Sequence, residues 1–111
     1  AATDVTGFSF LGHLHEMMGK KLSCVIDAHA VPVLPGAWEA ADACLYTAAG
    51  QRNRNHTGPF VRFENVPFPM EEILFDPQTS GGLLLAAAPQ DPAAIVGEIL
   101  EKQTTEITVN Y

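Results

Sequence analysis

Positive charge is scarce in this chain. Six Lys and Arg stand against 13 Asp and Glu in 111 residues, a formal net charge of -7. Non-specific binding to nucleic acid rests on clustered basic side chains, so no nucleic-acid partner is expected. Nucleotide binding stays open, because backbone amides and metal ions can hold a phosphate without basic side chains. Cysteine is equally sparse. Cys24 and Cys44 are too few and too far apart for a disulfide framework or a zinc ribbon, and both are expected to be buried packing thiols. No apolar run approaches the roughly 20 residues of a membrane-spanning helix. The first residues show neither the basic region nor the apolar stretch of a secretory signal, so a cytoplasmic protein without a membrane partner is expected.

The motifs of several chemistries are also missing. His13 and His15 fall about 200° apart around a helix axis and cannot share one ion. His15-Glu16 begins like HExxH, but residue 19 is glycine, and the motif fails. No GxxxxGK[ST] phosphate loop occurs, and no Ser/His/Asp or Cys/His arrangement can be assembled from the spacing alone.

What is present is ordinary globular material, 47% hydrophobic and 17% charged, with no linker or repeat. The whole of 1–111 therefore reads as one domain. Residues 7 to 19 predict a helix with Phe10, Leu11, Leu14, Met17 and Met18 on one arc and Ser9, Gly12 and Glu16 pointing away, stopped by Gly19. Leu22 to Ala30 alternates as a strand. A second helix is expected from Pro35 to about Ala49, with Trp38, Ala41 and Leu45 as its apolar stripe and Gly50 at its end. Residues 50 to 58 read as a polar, locally basic loop, and Pro59 to Phe63 as a short edge strand. Pro69, Glu71 and Glu72 open a third helix that ends near Asp76, ahead of Pro77. Gly82 to Ala88 predicts a central buried strand. Asp91 and Pro92 then start a helix with Ile95, Val96, Ile99 and Leu100 toward the core. The closing TTEITVNY has strand composition. This irregular alternation predicts an α+β domain, a mixed or antiparallel sheet with helices packed mainly on one face.

Three polar segments could carry chemistry. Thr3-Asp4-Val5-Thr6-Gly7 precedes the first helix, where free amides and the helix dipole attract anions and Asp4 either caps the helix or shares a hard cation with phosphate. Asp76-Pro77-Gln78-Thr79-Ser80-Gly81-Gly82 is either a turn or an anion-binding nest. Arg52-Asn53-Arg54-Asn55-His56 is a solvated basic loop or a phosphate contact.

Taken together, TDVTGF followed by LGH, and DPQTSGGLL at residues 76 to 84, resemble the C-terminal domain of the selenide, water dikinase (selenophosphate synthetase) family, within the AIR synthase-related superfamily. VPVLPGA after the first strand, and Arg52-Asn53 ahead of Gly58, fit the same pattern. The resemblance implies an enzyme that converts ATP, selenide and water to selenophosphate, AMP and phosphate, with Mg²⁺ on the nucleotide. It implies Asp4 as a metal ligand, surrounded by Thr3, Thr6 and Gly7. Thr79, Ser80, Gly81 and Gly82 would form a wall of the same site and Arg52 a further phosphate contact. It also implies that the catalytic N-terminal domain is absent from this chain, that the chain alone is inactive and holds no catalytic residue, and that the complete protein is a homodimer. Family members usually read TGFGLLGH. Ser9-Phe10 stands here in place of Gly-Leu, and a lost glycine on the outward face would narrow the approach of a ligand. Two alternatives remain: another ATP-using member of the superfamily, of hydrogenase-maturation or thiamine-phosphate type, or a non-catalytic binding module.

Overall fold

The structure, a computed structural model, describes residues 1–45, 47–79, 81–88 and 95–111. In chain order its elements are β1 (Ala2–Asp4), α1 (Ser9–Met18), β2 (Leu22–Asp27), α2 (Ala37–Asp42), α3 (Ala48–Thr57), β3 (Val61–Glu64), α4 (Phe68–Phe75), β4 (Leu83–Leu85), β5 (Gly97–Glu101) and β6 (Ile107–Asn110), with 3₁₀ turns at Ala28–Ala30 and Gly58–Phe60. Four strands form a mixed sheet in the order β3-β6-β2-β5, in which β6 runs parallel to both β3 and β2 and β5 runs antiparallel to β2. β1 and β4 pair antiparallel in a separate ribbon. This is the expected α+β architecture with a mixed sheet.

Register decides which side of the sheet is buried. Cys24, Ile107 and Val61 share one rung and Ile26, Val109 and Phe63 the next but one, so all six side chains leave the same face. α1 covers that face with Leu11, Leu14 and Met18, and α4 with Met70, Leu74 and Phe75. The Phe63 and Phe75 rings meet edge to face, 5.9 Å apart, the arrangement favoured by aromatic quadrupoles. Ile107 and Val109 are wholly inaccessible, and burial of each such side chain contributes roughly 1.5–3 kcal/mol. The terminal TTEITVNY stretch thus supplies an inner strand of the sheet. Among the described residues no helix is long and apolar enough to cross a membrane.

Several expectations are corrected. The helix expected from Pro35 to Ala49 is shorter, α2 ending at Asp42. Leu45, assigned to its stripe, is 74% exposed, and Cys44 is exposed rather than buried. The expected loop at 50 to 58 is instead most of α3, whose first turn is capped by Thr47 Oγ1 accepting from Gly50 N at 3.0 Å. α3 has no apolar stripe because it packs through small and polar residues. It buries Gly50, Asn53 and Thr57, and Thr57 Oγ1 would lie 3.6 Å from a Cβ placed on Gly12. Ser9 and Gly12 of α1, expected to point away, are therefore buried.

The central buried strand expected at Gly82 to Ala88 is only the three residues of β4. Its Leu83 and Leu85 are exposed, and among the described residues its sole strand partner is β1. The helix expected after Asp91 and Pro92 is also revised. Those two residues lie outside the described ones, but Ile99 and Leu100 belong to the edge strand β5, where Ile99 pairs with Cys24. The open edge of β2 offers a hydrogen-bonding row that outweighs the helical pattern, and Gly97 lets the chains close up: a Cβ there would sit 2.3 Å from the Val25 carbonyl oxygen. The partial match to helical spacing in a short apolar run could not distinguish the two outcomes. α1, β2, β4 and β5 wall an apolar cleft of about 860 Å³ lined by Phe10, Leu14, Met17, Ile26, Leu84 and Ile99.

Ser9 is both buried and held at φ +74°, a left-handed conformation in which a Cβ costs roughly 1–2 kcal/mol. Its Oγ accepts a hydrogen bond from Gly12 N at 3.2 Å. Ser9→Ala and Ser9→Gly both lose that bond, and only glycine also relaxes the backbone. The Gly variant is expected to be the more stable of the two by about 1 kcal/mol; equal urea midpoints for the two variants would contradict the strain.

Candidate functional site

The two acidic, glycine-bearing motifs meet in space. Thr3 faces Leu84 and Asp4 faces Leu83 across the β1–β4 ladder. Beyond the ladder Val5 N donates to Gly82 O at 2.9 Å, and Gln78 N donates to Thr6 O at 3.0 Å. Gly81 is required for this approach, since a Cβ there would lie 2.1 Å from Val5 O. Asp4, Gly7, Thr79, Gly81 and Gly82 are exposed, while Thr3 and Thr6 are half-buried. The structure therefore gathers Thr3, Asp4, Thr6, Gly7, Thr79, Gly81 and Gly82 at one junction. Ser80 lies outside the described residues.

Asp4 does not cap α1. It ends β1, the helix begins at Ser9, and the hydroxyl serving the first turn belongs to Ser9. Among the described residues the Asp4 carboxylate has no ion-pair partner, so it stands available to a ligand. Among those residues, too, no group of three or more His, Cys, Asp or Glu could hold a metal ion. One carboxylate fits Mg²⁺ held partly by phosphate oxygens and water, and does not fit a metal caged by protein alone. Cys24 offers no thiolate: burial, reinforced by Glu106, pushes its pKa up to about 12. His15 is engaged by Glu106 and stacks on Phe60.

Arg52 is exposed on α3, and no contact among the described residues ties it to either motif. Its neighbour Arg54 is committed elsewhere. Arg54 Nε and Nη2 donate to Glu72 Oε1 at 3.1 and 2.6 Å, Nη1 donates to Glu71 Oε1 at 3.0 Å, and the guanidinium lies over the Phe75 ring at 4.7 Å. Half of the local basic charge is thus neutralised within the fold. Three further side chains at the junction, named in sequence only within larger segments or as a rejected metal ligand, make contacts that the pattern did not specify. Asn53 Nδ2 donates to Gly7 O and to Phe75 O, both at 3.0 Å. His13 Nε2 lies 3.0 Å from Thr6 Oγ1, and its Nδ1 lies 3.4 Å from Glu16 Oε1. Asp76 borders the polar end of the cleft with Gln78, Gly81 and Gly82, and its carboxyl is raised above the ordinary range by burial, then by the nearby Glu72 charge. The polar segments around Asn53 and Asp76 marked their neighbourhood in sequence, but nothing local signals the carbonyls or the charge that they meet.

The family described as AIR synthase related protein, C-terminal domain, matches residues 1–109. The chain belongs to this family. Within it, the chain is similar to curated proteins named selenide, water dikinase. That of Agathobacter rectalis is 49% identical across 99% of this chain, that of Desulfitobacterium hafniense strain Y51 42% across 96%, and that of Treponema denticola 43% across 89%. These matches cover 36%, 35% and 28% of the relatives' own lengths, so the chain spans about a third of the curated relatives it matches. The Agathobacter match runs over 124 residues against the 111 of this chain; the relative carries residues inside the matched region that have no counterpart here.

Two measurements probe the junction. Gly81→Ala places a methyl group on Val5 O and should cost about 1–3 kcal/mol of stability, read as a lowered denaturant midpoint; an unchanged midpoint would show that the segments are not in contact. For Asp76 the folded carboxyl titrates above the unfolded one, so stability is fully present below the unfolded pKa of 3.8 and is lost as pH rises through the higher folded value. Asp76→Asn is therefore expected to stabilise the chain at neutral pH, with the advantage vanishing below about pH 4 when melting temperatures are compared across a pH series.

Proposed function

We propose that this chain is the C-terminal part of a selenide, water dikinase, contributing one side of a nucleotide and Mg²⁺ site. The observation that carries the reading is the junction itself: the two segments that mark the family in sequence are joined by backbone hydrogen bonds, with a carboxylate at their edge that has no ion-pair partner among the described residues. The relatives' name, selenide, water dikinase, supports a reaction on selenide and water; the motif resemblance implies that it forms selenophosphate from selenide, ATP and water with release of AMP and phosphate.

In this reading Asp4 holds the metal, and Thr3, Thr6 and Gly7 lie around it. The hydroxyls and exposed backbone of Thr79, Gly81 and Gly82, with Ser80 from the sequence, face the phosphates as donors. Arg52, exposed on α3, would contribute charge at the margin of the site. Bound Mg²⁺ lowers the charge repulsion between phosphoryl groups as one is transferred. The residues here bind and orient. Catalysis is assigned to the remaining two thirds of the relatives' length, and the isolated chain is expected to be inactive. The partners are then this protein's own N-terminal domain and, in the complete enzyme, a second subunit, in the cytoplasm.

The test joins the chain to its native upstream sequence and measures selenide-dependent conversion of ATP to AMP. Asp4→Ala is expected to lower kcat roughly 10²-fold or more while the melting temperature is retained. ATP turnover that does not depend on selenide would move the chain to another ATP-using member of the family. Full activity of Asp4→Ala would remove Asp4 from the metal site, and activity of the isolated chain would refute its dependence on the missing part.

A further inference from the structure

The junction is held from behind by a single amide. Asn53 is 8% exposed, sits in the middle of α3, and spends its side-chain NH₂ on two carbonyls from different parts of the chain. One is Gly7 O, at the end of the TDVTG segment. The other is Phe75 O, the last residue of α4, immediately before Asp76 and the second motif. Carbonyls in the last turn of a helix have no intrahelical partner, so the Phe75 bond also completes α4. An amide NH₂ offers two donors and no charge, and few other side chains could satisfy two acceptors at that depth.

α3 is anchored where such a clamp needs it. Thr47 caps its start. Gly50, one turn before Asn53, faces the end of α4: a Cβ there would stand in ordinary contact with Phe75 O at 3.9 Å and Pro77 Cδ at 4.0 Å. Arg54, next in sequence, is locked to Glu71 and Glu72 of α4. The helix is thus fixed to α4 on both sides of Asn53, and Asn53 extends that attachment to Gly7.

We infer that Asn53 is the positioning residue that sets the Asp4–Gly7 turn against the Asp76–Gly82 segment and thereby fixes the geometry with which the junction receives nucleotide. The inference rests on the reading of the junction as a nucleotide site. Asn53 touches neither nucleotide nor metal; it acts through the Gly7 and Phe75 carbonyls. A displacement of about 1 Å in such a support can cost on the order of 10²-fold in rate.

The test uses the chain joined to its native upstream sequence, with Asn53→Asp, which keeps the shape and removes both donors, and the milder Asn53→Ser, which keeps one. Val109→Ala, a core truncation in β6, serves as a control for loss of stability alone. Two quantities are read at a temperature where every variant is folded: the ATP KM and kcat, and hydrogen exchange at the Val5 and Gln78 amides, whose bonds cross the junction. Asn53→Asp is expected to raise the ATP KM at least about tenfold and to speed exchange at both amides, with Asn53→Ser intermediate. Val109→Ala is expected to lower the melting temperature without either effect. Unchanged exchange in both Asn53 variants overturns the clamp, and faster exchange with an unchanged KM overturns its role in nucleotide binding. An equal KM rise in Val109→Ala would reduce Asn53 to a structural residue. Failure of the nucleotide reading is seen separately, as unaltered kinetics in Asp4→Ala, while exchange at Val5 and Gln78 still reports the clamp.

Discussion

The backbone of Ala2 to Thr6, near the start of the chain, decides how the rest is used. It pairs with residues 82 to 85 and with Gln78, far away in sequence, and so turns two local motifs into one surface. The pairing is short and stands apart from the main sheet, so the ladder alone is a weak support; two-stranded ribbons are marginal in water. It persists because α1 follows directly from β1 and buries Leu11, Leu14 and Met18 in the common core. It also depends on the absence of a side chain at Gly81, where the two backbones come closest.

The fold was legible in the sequence wherever burial is carried by apolar side chains. α1, β2, α4 and β6 each show their periodicity, and their ends follow from Gly19, Pro77 and the turn residues between them. Legibility failed where helices meet through small and polar groups. Ser9, Gly12, Gly50, Asn53 and Thr57 form such a contact, and hydropathy assigns every one of them to solvent. It also failed for Ile95 to Leu100, whose pattern suits a helix or a strand and was settled by the vacant edge of β2. At the site, Asp4 and both glycine-bearing segments could be named from sequence, because the motif chemistry is local. Asn53 and Asp76 lay within the polar segments, but their roles were not legible, because what matters about them is the backbone or the charge that tertiary structure brings near.

Charge has two separate uses here. Between α3 and α4, the half-buried Arg54 is shared between Glu71 and Glu72 and rests on Phe75. Loss of Arg54 would leave the buried Glu72 charge uncompensated. Burial first, and Glu72 second, disfavour the ionised form of Asp76, so one member of this structural ion pair also bears on a residue at the margin of the candidate site. Basic charge that the sequence displays as a cluster is therefore divided, Arg54 serving the fold and Arg52 alone remaining exposed.

The four-stranded sheet ends at β3 and β5, each presenting an outer row of backbone groups among the described residues. Such edges invite pairing with another chain. β3 carries Arg62 and Glu64 on its surface, bonded to each other at 2.6 Å, and β5 carries Glu98 and Glu101, both exposed. If two β5 edges met, four carboxylates would be crowded along one seam. The acidic balance that argued against a nucleic-acid partner thus has a colloidal consequence too: like charge keeps copies of the sheet from growing into one another, and that protection weakens as acid or salt removes the repulsion.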